Sequence, residues 1–378
     1  MHFQIMIIAF SFVWLAFSPT AFATGDCSNP PDGVVTLEEV NSAIGMFLGT
    51  TPVLGCVDED NSGIVTIAEV QKTINSYLGI KTPTVLAGSS GVRGYTDGTG
   101  AGAQFRFNNA TMTADGINLY VANTKTVRQV TPAGVVKTIA GLGDGVGTVD
   151  YFQNCTGIAA DGEGNLYVAD NLSNTISKIV ISSGDVTPVA GSGLAGSNDG
   201  VGAAAQFNQP MGIATDGTYL YVADSKNDSI RRIDIVSREV TLVARVGNPR
   251  GITIDKSTLY VTSGYNHVIF KIDTAVLTPW DPIPIAGFFQ LGFPPHAGYV
   301  DGIGTASLFN SPYGIAVSEG YLYVADTNNN AIRKINLTAP TYDVTTIATL
   351  GSVIPTGIAL IGSDIYLNKN DFTVTKLQ

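Results

Sequence analysis

The chain has 378 residues, of which 31 are acidic and 20 basic, for a net charge of −11. That balance opposes docking on nucleic-acid phosphates, which is driven by Lys and Arg releasing counterions. The length accommodates one large repeat domain and a small extra module.

In chain order, residues 1–23 read as a signal peptide. The run IMIIAFSFVWLAF over residues 5–17 is apolar over a suitable length, and Ala21-Phe22-Ala23 supplies a small-x-small cleavage site. The expected location is secreted, extracellular or periplasmic, or at the cell surface. Because no Lys or Arg precedes the apolar run, a retained membrane anchor is the alternative. No other run is long enough to span a bilayer, so no membrane span is expected after cleavage.

Residues 24–79 carry the sharpest chemistry. From Asp58 to Glu69 the sequence DEDNSGIVTIAE places oxygens at positions 1, 3, 5, 9 and 12 (Asp58, Asp60, Ser62, Thr66, Glu69) and Gly63 at position 6. Ca²⁺ takes six to eight oxygens at about 2.3–2.6 Å, and only a sharply turned loop brings near-consecutive side chains to one point. The Ile64 carbonyl is the expected ligand at position 7, and Glu69 the bidentate closer. The bland alternative is an Asp/Asn-rich turn that caps the following helix. An imperfect copy precedes this loop: Asp32 to Glu39 fits positions 5–12, but Asp26 lies two residues too far upstream for position 1 without a bulge at Pro30-Pro31. If that loop closes on Ca²⁺, the donors are Asp26, Ser28 or Asn29, Asp32, the Val34 carbonyl, Thr36 and Glu39.

Each loop feeds a short amphipathic helix ended by Gly: Leu37, Val40, Ile44 and Leu48 before Gly49, then Ile67, Val70, Ile74 and Leu78 before Gly79. Two loop-helix units in tandem resemble a dockerin-type EF-hand pair. The positions that such modules use to recognise cohesins are Leu37-Glu38 and Ile67-Ala68 here, a departure from that pattern. Cys27 and Cys56 flank the loops, and a disulfide between them would stabilise the module by roughly 3–4 kcal/mol. Cys155 is left over and reads as a buried small hydrophobe.

After a linker at residues 80–83, residues 84–378 repeat. The runs MGIAT, LYVAD, SIRRID and EVTLVA, from Met211 to Ala244, are four strands in series with turn residues between them, which describes one blade of a β-propeller. The Ala closing each fourth strand recurs at Ala87, Ala140, Ala190, Ala244, Ala286 and Ala348, and loop insertions account for the uneven spacing. The sixth copy stops after its third strand, while the fourth-strand sequence TVLAG from Thr84 precedes the first blade. The N-terminal strand is therefore expected to complete the last blade and close the ring.

The order GIA(T/V), LYVAD, then N-x-x-I-R-K-I resembles the NHL repeat family, which implies a mainly β, six-bladed propeller. Propellers of this type serve as scaffolds, receptors and enzymes. The recurrent inner-strand glycines (Gly157, Gly212, Gly251, Gly314, Gly357) read as a response to crowding at the axis. The Asp or Asn ending each second strand (Asn123, Asp170, Asp224, Asp326, Asn368) reads as an Asx partner of the next turn. The basic residue of the third strand (Lys178, Arg232, Lys271, Lys334, Lys376) is expected to pair with it or face solvent.

No catalytic set stands out. With the leader removed, only His267 and His296 remain, too few for a three-His zinc site; His267 is expected in a core or turn role. The expected function is an exported calcium-binding protein, monomeric, whose propeller binds a protein, carbohydrate or small molecule on one face. That face is expected to gather the DGxG loops at Asp97, Asp144, Asp199 and Asp301 with the aromatic insertion of Phe288, Phe289, Phe293 and Tyr299. The alternative is a lactonase-type hydrolase with a metal in the central channel.

Overall fold

The computed structural model describes residues 40, 41, 44, 65–77, 80–141, 152–275, 282–290 and 294–377. The chain divides into two compact units, Met1–Thr82 and Pro83–Gln378. In the first, a helix runs from Ile67 to Tyr77. Its N-terminus is set by a capping box, in which the Thr66 hydroxyl accepts from the Glu69 amide at 3.3 Å while the Glu69 carboxylate accepts from the Thr66 amide at 2.6 Å.

The second unit is a six-bladed β-propeller. The inner strands, in blade order, are Met112–Ala114, Cys155–Ala160, Pro210–Thr215, Pro249–Asp255, Ile315–Ser318 and Pro355–Ile361. All six sheets are antiparallel meanders with these strands on the axis. Pro83–Ala87 pairs with Val374–Leu377, so strands from the two ends of this unit join in blade six. The ring closes as the repeat count requires, and no blade is left with an unfinished edge.

The Ala that marks each outer strand has a structural cause. In every blade the ladder slips by one residue just before it, as between Ile230↔Ala244 and Arg231↔Leu242, and the same slip recurs in the other five. The bulged residue and the Ala are both buried in five blades, for example Val243 and Ala244 or Ile285 and Ala286. A bulge re-aims side chains, and here it presents two consecutive small apolar groups to a neighbouring blade. The core accordingly lies between blades: Ile176 and Val189 of blade two pack with Phe207 and Leu220 of blade three.

Crowding at the axis accounts for the inner glycines. A Cβ on Gly157 would meet the Met211 carbonyl oxygen of the next blade, and one on Gly212 would meet that of Arg250. Blades one, three and five carry an extra two-residue strand, Gly98–Thr99, Gly200–Val201 and Gly302–Ile303, laid on the outer edge of the sheet.

Candidate functional site

Of the eleven residues expected to hold calcium, Thr66 and Glu69 lie among the described residues. Asp26, Asp32, Val34, Thr36, Glu39, Asp58, Asp60, Ser62 and Ile64 lie outside them, as do the Cys27–Cys56 pairing and the leader. Glu69 is buried, and its carboxylate accepts from the Thr66 hydroxyl at 2.7 Å. Thr66 and Glu69, positions 9 and 12 of the regular loop, are therefore hydrogen-bonded to each other in an arrangement that caps the helix.

The DGxG aspartates have a different role from the one their sequence suggests. Rather than gathering on a binding face, Asp97, Asp199 and Asp301 each turn into their own blade and pair with a fully buried arginine of the third strand. The distances are 2.6 Å to Arg128, 2.5 Å to Arg231 and 2.7 Å to Arg333. Asp144 lies outside the described residues. Each guanidinium also lies over a buried phenylalanine, at 5.5 Å from Phe105, 5.4 Å from Phe207 and 4.8 Å from Phe309. In blades three and five it reaches the second-strand carboxylate as well, Asp224 at 3.3 Å and Asp326 at 2.8 Å. Burial raises both of these carboxyls above the ordinary value, although amide and guanidinium donors oppose it.

The basic position expected to pair with these aspartates is one residue further on and faces the other side of the sheet. It rests on tyrosine rings instead: Arg232 lies 4.6 Å from Tyr219 and Lys334 3.6 Å from Tyr321. The second-strand Asx residues do more than bind the next turn. Asp170 accepts from the amides of Gln153 and Asn154, tying the loop that enters the inner strand, and Asp224 and Asp326 do the same with Asn208 and Asn310.

The central channel opens into a cavity of about 220 Å³ walled by all six inner strands. Its first ring is Met112, Ile158, Ile213, Ile252, Ile315 and Ile358, and beyond it lie Ala, Thr, Ile, Val and Leu. Among the described residues no titratable side chain lines it. Toward the start of the strands it narrows to a neck of about 30 Å³ between Gly212, Gly251 and Gly314. There Tyr313, buried in blade five, donates its hydroxyl to the Asn109 carbonyl of blade one at 2.7 Å and lies 3.4 Å from the Met211 sulfur of blade three. A side chain that touches alternate blades spans the axis and stoppers the channel. Arg250 packs 5.6 Å from its ring and donates to Asn248 and Ser311.

His267 serves a turn, as expected. It sits at φ 60 in the hairpin after the second strand, and its Nδ1 accepts from the Ser311 amide of the next blade at 2.9 Å. Asn174 and Asp228 hold the same position and make the same latch to Gln209 and Asn248. Burial, then the Arg250 charge, lowers the imidazole below its ordinary value and keeps it an acceptor. Cys155 is fully buried, and burial pushes its thiol well up.

The aromatic insertion is only partly available. Phe289 packs edge-on against Phe270 at 5.2 Å within the core between blades, and Phe288 meets His296 at 5.1 Å. Phe293 lies outside the described residues. Tyr299 is exposed over Arg333 at 5.3 Å.

Residues 209–235 and 313–331 match the model of the LVIVD repeat. Ninety-six residues are 36% identical to "Protein SUPPRESSOR OF QUENCHING 1, chloroplastic" of Arabidopsis thaliana, covering 25% of this chain and 9% of that protein. Fifty-seven residues are 49% identical to human "NHL repeat-containing protein 2", covering 15% of this chain and 8% of that protein. The fold is a six-bladed β-propeller, and the matched stretches are similar to LVIVD and NHL repeats. The matched segments span less than a tenth of these relatives. Among solved structures, the chain resembles a protein of unknown function from Bacteroides thetaiotaomicron, with a TM-score of 0.60 and 17% identity over 79% of this chain and 75% of that one. It also resembles an auxiliary nutrient binding protein from Bacteroides ovatus, with a TM-score of 0.59 and 17% identity over 79% and 76%. At this identity the likeness is one of fold.

Proposed function

We propose that this is an exported calcium-binding protein whose propeller is a scaffold for binding a protein or small ligand on one face. The observation that carries the reading is the character of the channel. A hydrolase of the lactonase type needs carboxylates or imidazoles converging on the axis to hold a metal and activate water. Here the described channel wall is apolar apart from threonines, and Tyr313 closes one end. The likeness in fold to an auxiliary nutrient binding protein is in keeping with binding rather than turnover.

Calcium belongs to residues 24–79 in this reading, as a structural staple for a module of about 55 residues, a size at which a hydrophobic core is marginal. Asp58, Asp60, Ser62, Ile64, Thr66 and Glu69 are the proposed ligands of the regular loop. Asp26, Asp32, Val34, Thr36 and Glu39 are those of the imperfect one.

The test is a panel of oligosaccharides, organic acids and candidate protein partners measured by calorimetry, beside a lactone hydrolysis assay on the same preparation. The expected result is saturable binding of a panel member without turnover. Lactone hydrolysis abolished by a substitution in the channel ring, such as Ile213→Asp, would overturn the reading in favour of an enzyme.

A further inference from the structure

In blades two, three and four the hairpin joining second and third strands latches onto the following blade through a side chain, whereas the left-handed residue in the described hairpins of blades one, five and six makes no such bond. Asn174, Asp228 and His267 each occupy a left-handed position and accept an amide from the following blade. In blade six the same position is Phe372, at φ 66. Phenylalanine has no acceptor, and a bulky residue in this conformation is an outlier for which sterics give no reason. The facing hairpin of blade one is also short. Two residues separate Leu119–Asn123 from Thr126–Val130, against the four of Asn171 to Asn174 in blade two. Where a latch would lie between blades six and one there is instead a cleft of about 290 Å³, lined by Arg93, Arg106, Phe107, Asn108, Thr124 and Phe372.

We propose that this cleft binds a small organic anion, a carboxylate or a phosphate monoester on a compact ring. The inference rests on the scaffold reading and names a ligand class for it. Two arginines line the cleft, and neither forms a salt bridge with a described residue, whereas Arg128, Arg231 and Arg333 are all neutralised by carboxylates. In a chain with an excess of eleven acidic charges, two cations lining one cleft with no described acid paired to them form a local minimum of repulsion for an anion.

The local geometry favours a planar acceptor. The Arg93 guanidinium stacks at 4.7 Å from the Phe372 ring, which orients its donor fork. The Arg106 backbone is pinned at both ends: its amide donates to the Asn123 Oδ1 at 2.5 Å, and its carbonyl accepts from the Thr124 hydroxyl. Asn108 adds an amide donor engaged only at 3.4 Å, with Asn154. Phe107 and Phe372, both largely buried, supply an apolar wall for the body of the ligand. The volume lies at the lower end of small-molecule sites. Guanidinium–oxyanion pairs are the strong, bidentate kind of hydrogen bond.

The experiment is calorimetric titration of the full-length protein with phenyl phosphate, benzoate and inorganic phosphate at millimolar concentration, with benzyl alcohol as the uncharged control. Arg93→Gln and Arg106→Gln are compared with Arg238→Gln, an arginine outside the cleft, and melting temperatures check that all three variants fold. The expected result is saturable binding of phenyl phosphate or benzoate, stronger than inorganic phosphate and absent for benzyl alcohol. It should weaken about tenfold or more in each cleft variant and stay unchanged in Arg238→Gln. No saturable binding by any of the three anions, or binding that the cleft variants leave intact, would overturn the proposal. If a neutral oligosaccharide binds while the anions do not, the cleft assignment fails and the scaffold reading stands.

Discussion

Replacing Arg333 with alanine should cost far more than any surface change, because the side chain is fully buried and joins the buried Asp326 to the half-exposed Asp301. Its guanidinium is fully buried and donates to the carbonyls of Leu308 and Val300 at 2.9 and 2.8 Å as well as to Asp301 and Asp326. Truncation leaves the fully buried Asp326 without its cation and two carbonyls without a donor. Breaking one partner of a buried ion pair costs about 3–5 kcal/mol, a large part of the roughly 5–15 kcal/mol that holds a typical domain folded. Equilibrium urea denaturation at neutral pH measures it. Lys334→Ala is the control: the ammonium lies on Tyr321 and should cost about 1 kcal/mol or less. The pH dependence has a definite sign. Burial already holds the folded Asp326 carboxyl above its unfolded value of 3.8, so the native state holds that proton more tightly and the group's contribution declines as pH rises through its folded pKa. Removing the cation deepens that effect, so the deficit should be largest at neutral pH and shrink on acidification. Adding Asp326→Asn to Arg333→Ala should recover part of the loss. A cost below about 1 kcal/mol, or strictly additive effects of the two substitutions, would refute the reasoning.

Other consequences follow from the ring itself. Deleting Pro83–Ala87 strips the outer strand from blade six and exposes the ladder of Val374–Leu377; the melting temperature should fall and the protein should associate, as gel filtration would show. Gly212→Ala drives a Cβ into the Arg250 carbonyl and should cost about 1–3 kcal/mol in urea denaturation, whereas Gly102→Ala, at an ordinary φ, meets no atom within 4 Å and should cost less. His267 has a folded pKa held below 6.5 by burial, so its latch is intact above the unfolded pKa and is lost as pH falls through the folded one. Melting temperature measured from pH 7 down to 5 should show a decline of about 2–4 °C, the value of one hydrogen bond, and His267→Asn should remove that component.

The fold was legible because repetition samples the same constraints six times. Six copies of the inner, second and third strands, with one spare outer strand at Thr84, required both the blade number and the closure seen at Pro83–Ala87. The axial glycines were legible because the same residue recurs at one register in five of the six inner strands, where crowding is the shared cause. The buried arginines were not. Arg231 and Arg333 stand beside Arg232 and Lys334, members of the recurrent basic position, and Arg128 stands beside Gln129, so residue type alone does not mark the buried one. The available signal was co-occurrence: in blades one, three and five a DGxG loop precedes an A-x-x-F or A-x-F run and an arginine in the third strand, while blades four and six have Phe270 and Thr375 there and no such loop. The Tyr313 stopper lay beyond reach, since its hydroxyl meets a carbonyl 204 residues away and no local pattern encodes that distance. The cleft between blades six and one depended on an absence, an acceptor replaced by Phe372, and it gains meaning only once the other latches are seen.

The most direct test of the account is metal stoichiometry of the full-length protein by native mass spectrometry, paired with unfolding in calcium and in chelator, for the wild type and Asp58→Ala. The account predicts one or two calcium ions, at least one of them lost in Asp58→Ala, with chelation destabilising an early transition and leaving the propeller transition in place. A tightly held ion that survives Asp58→Ala and whose removal shifts the propeller transition would contradict it, and would move the search for chemistry back to the channel.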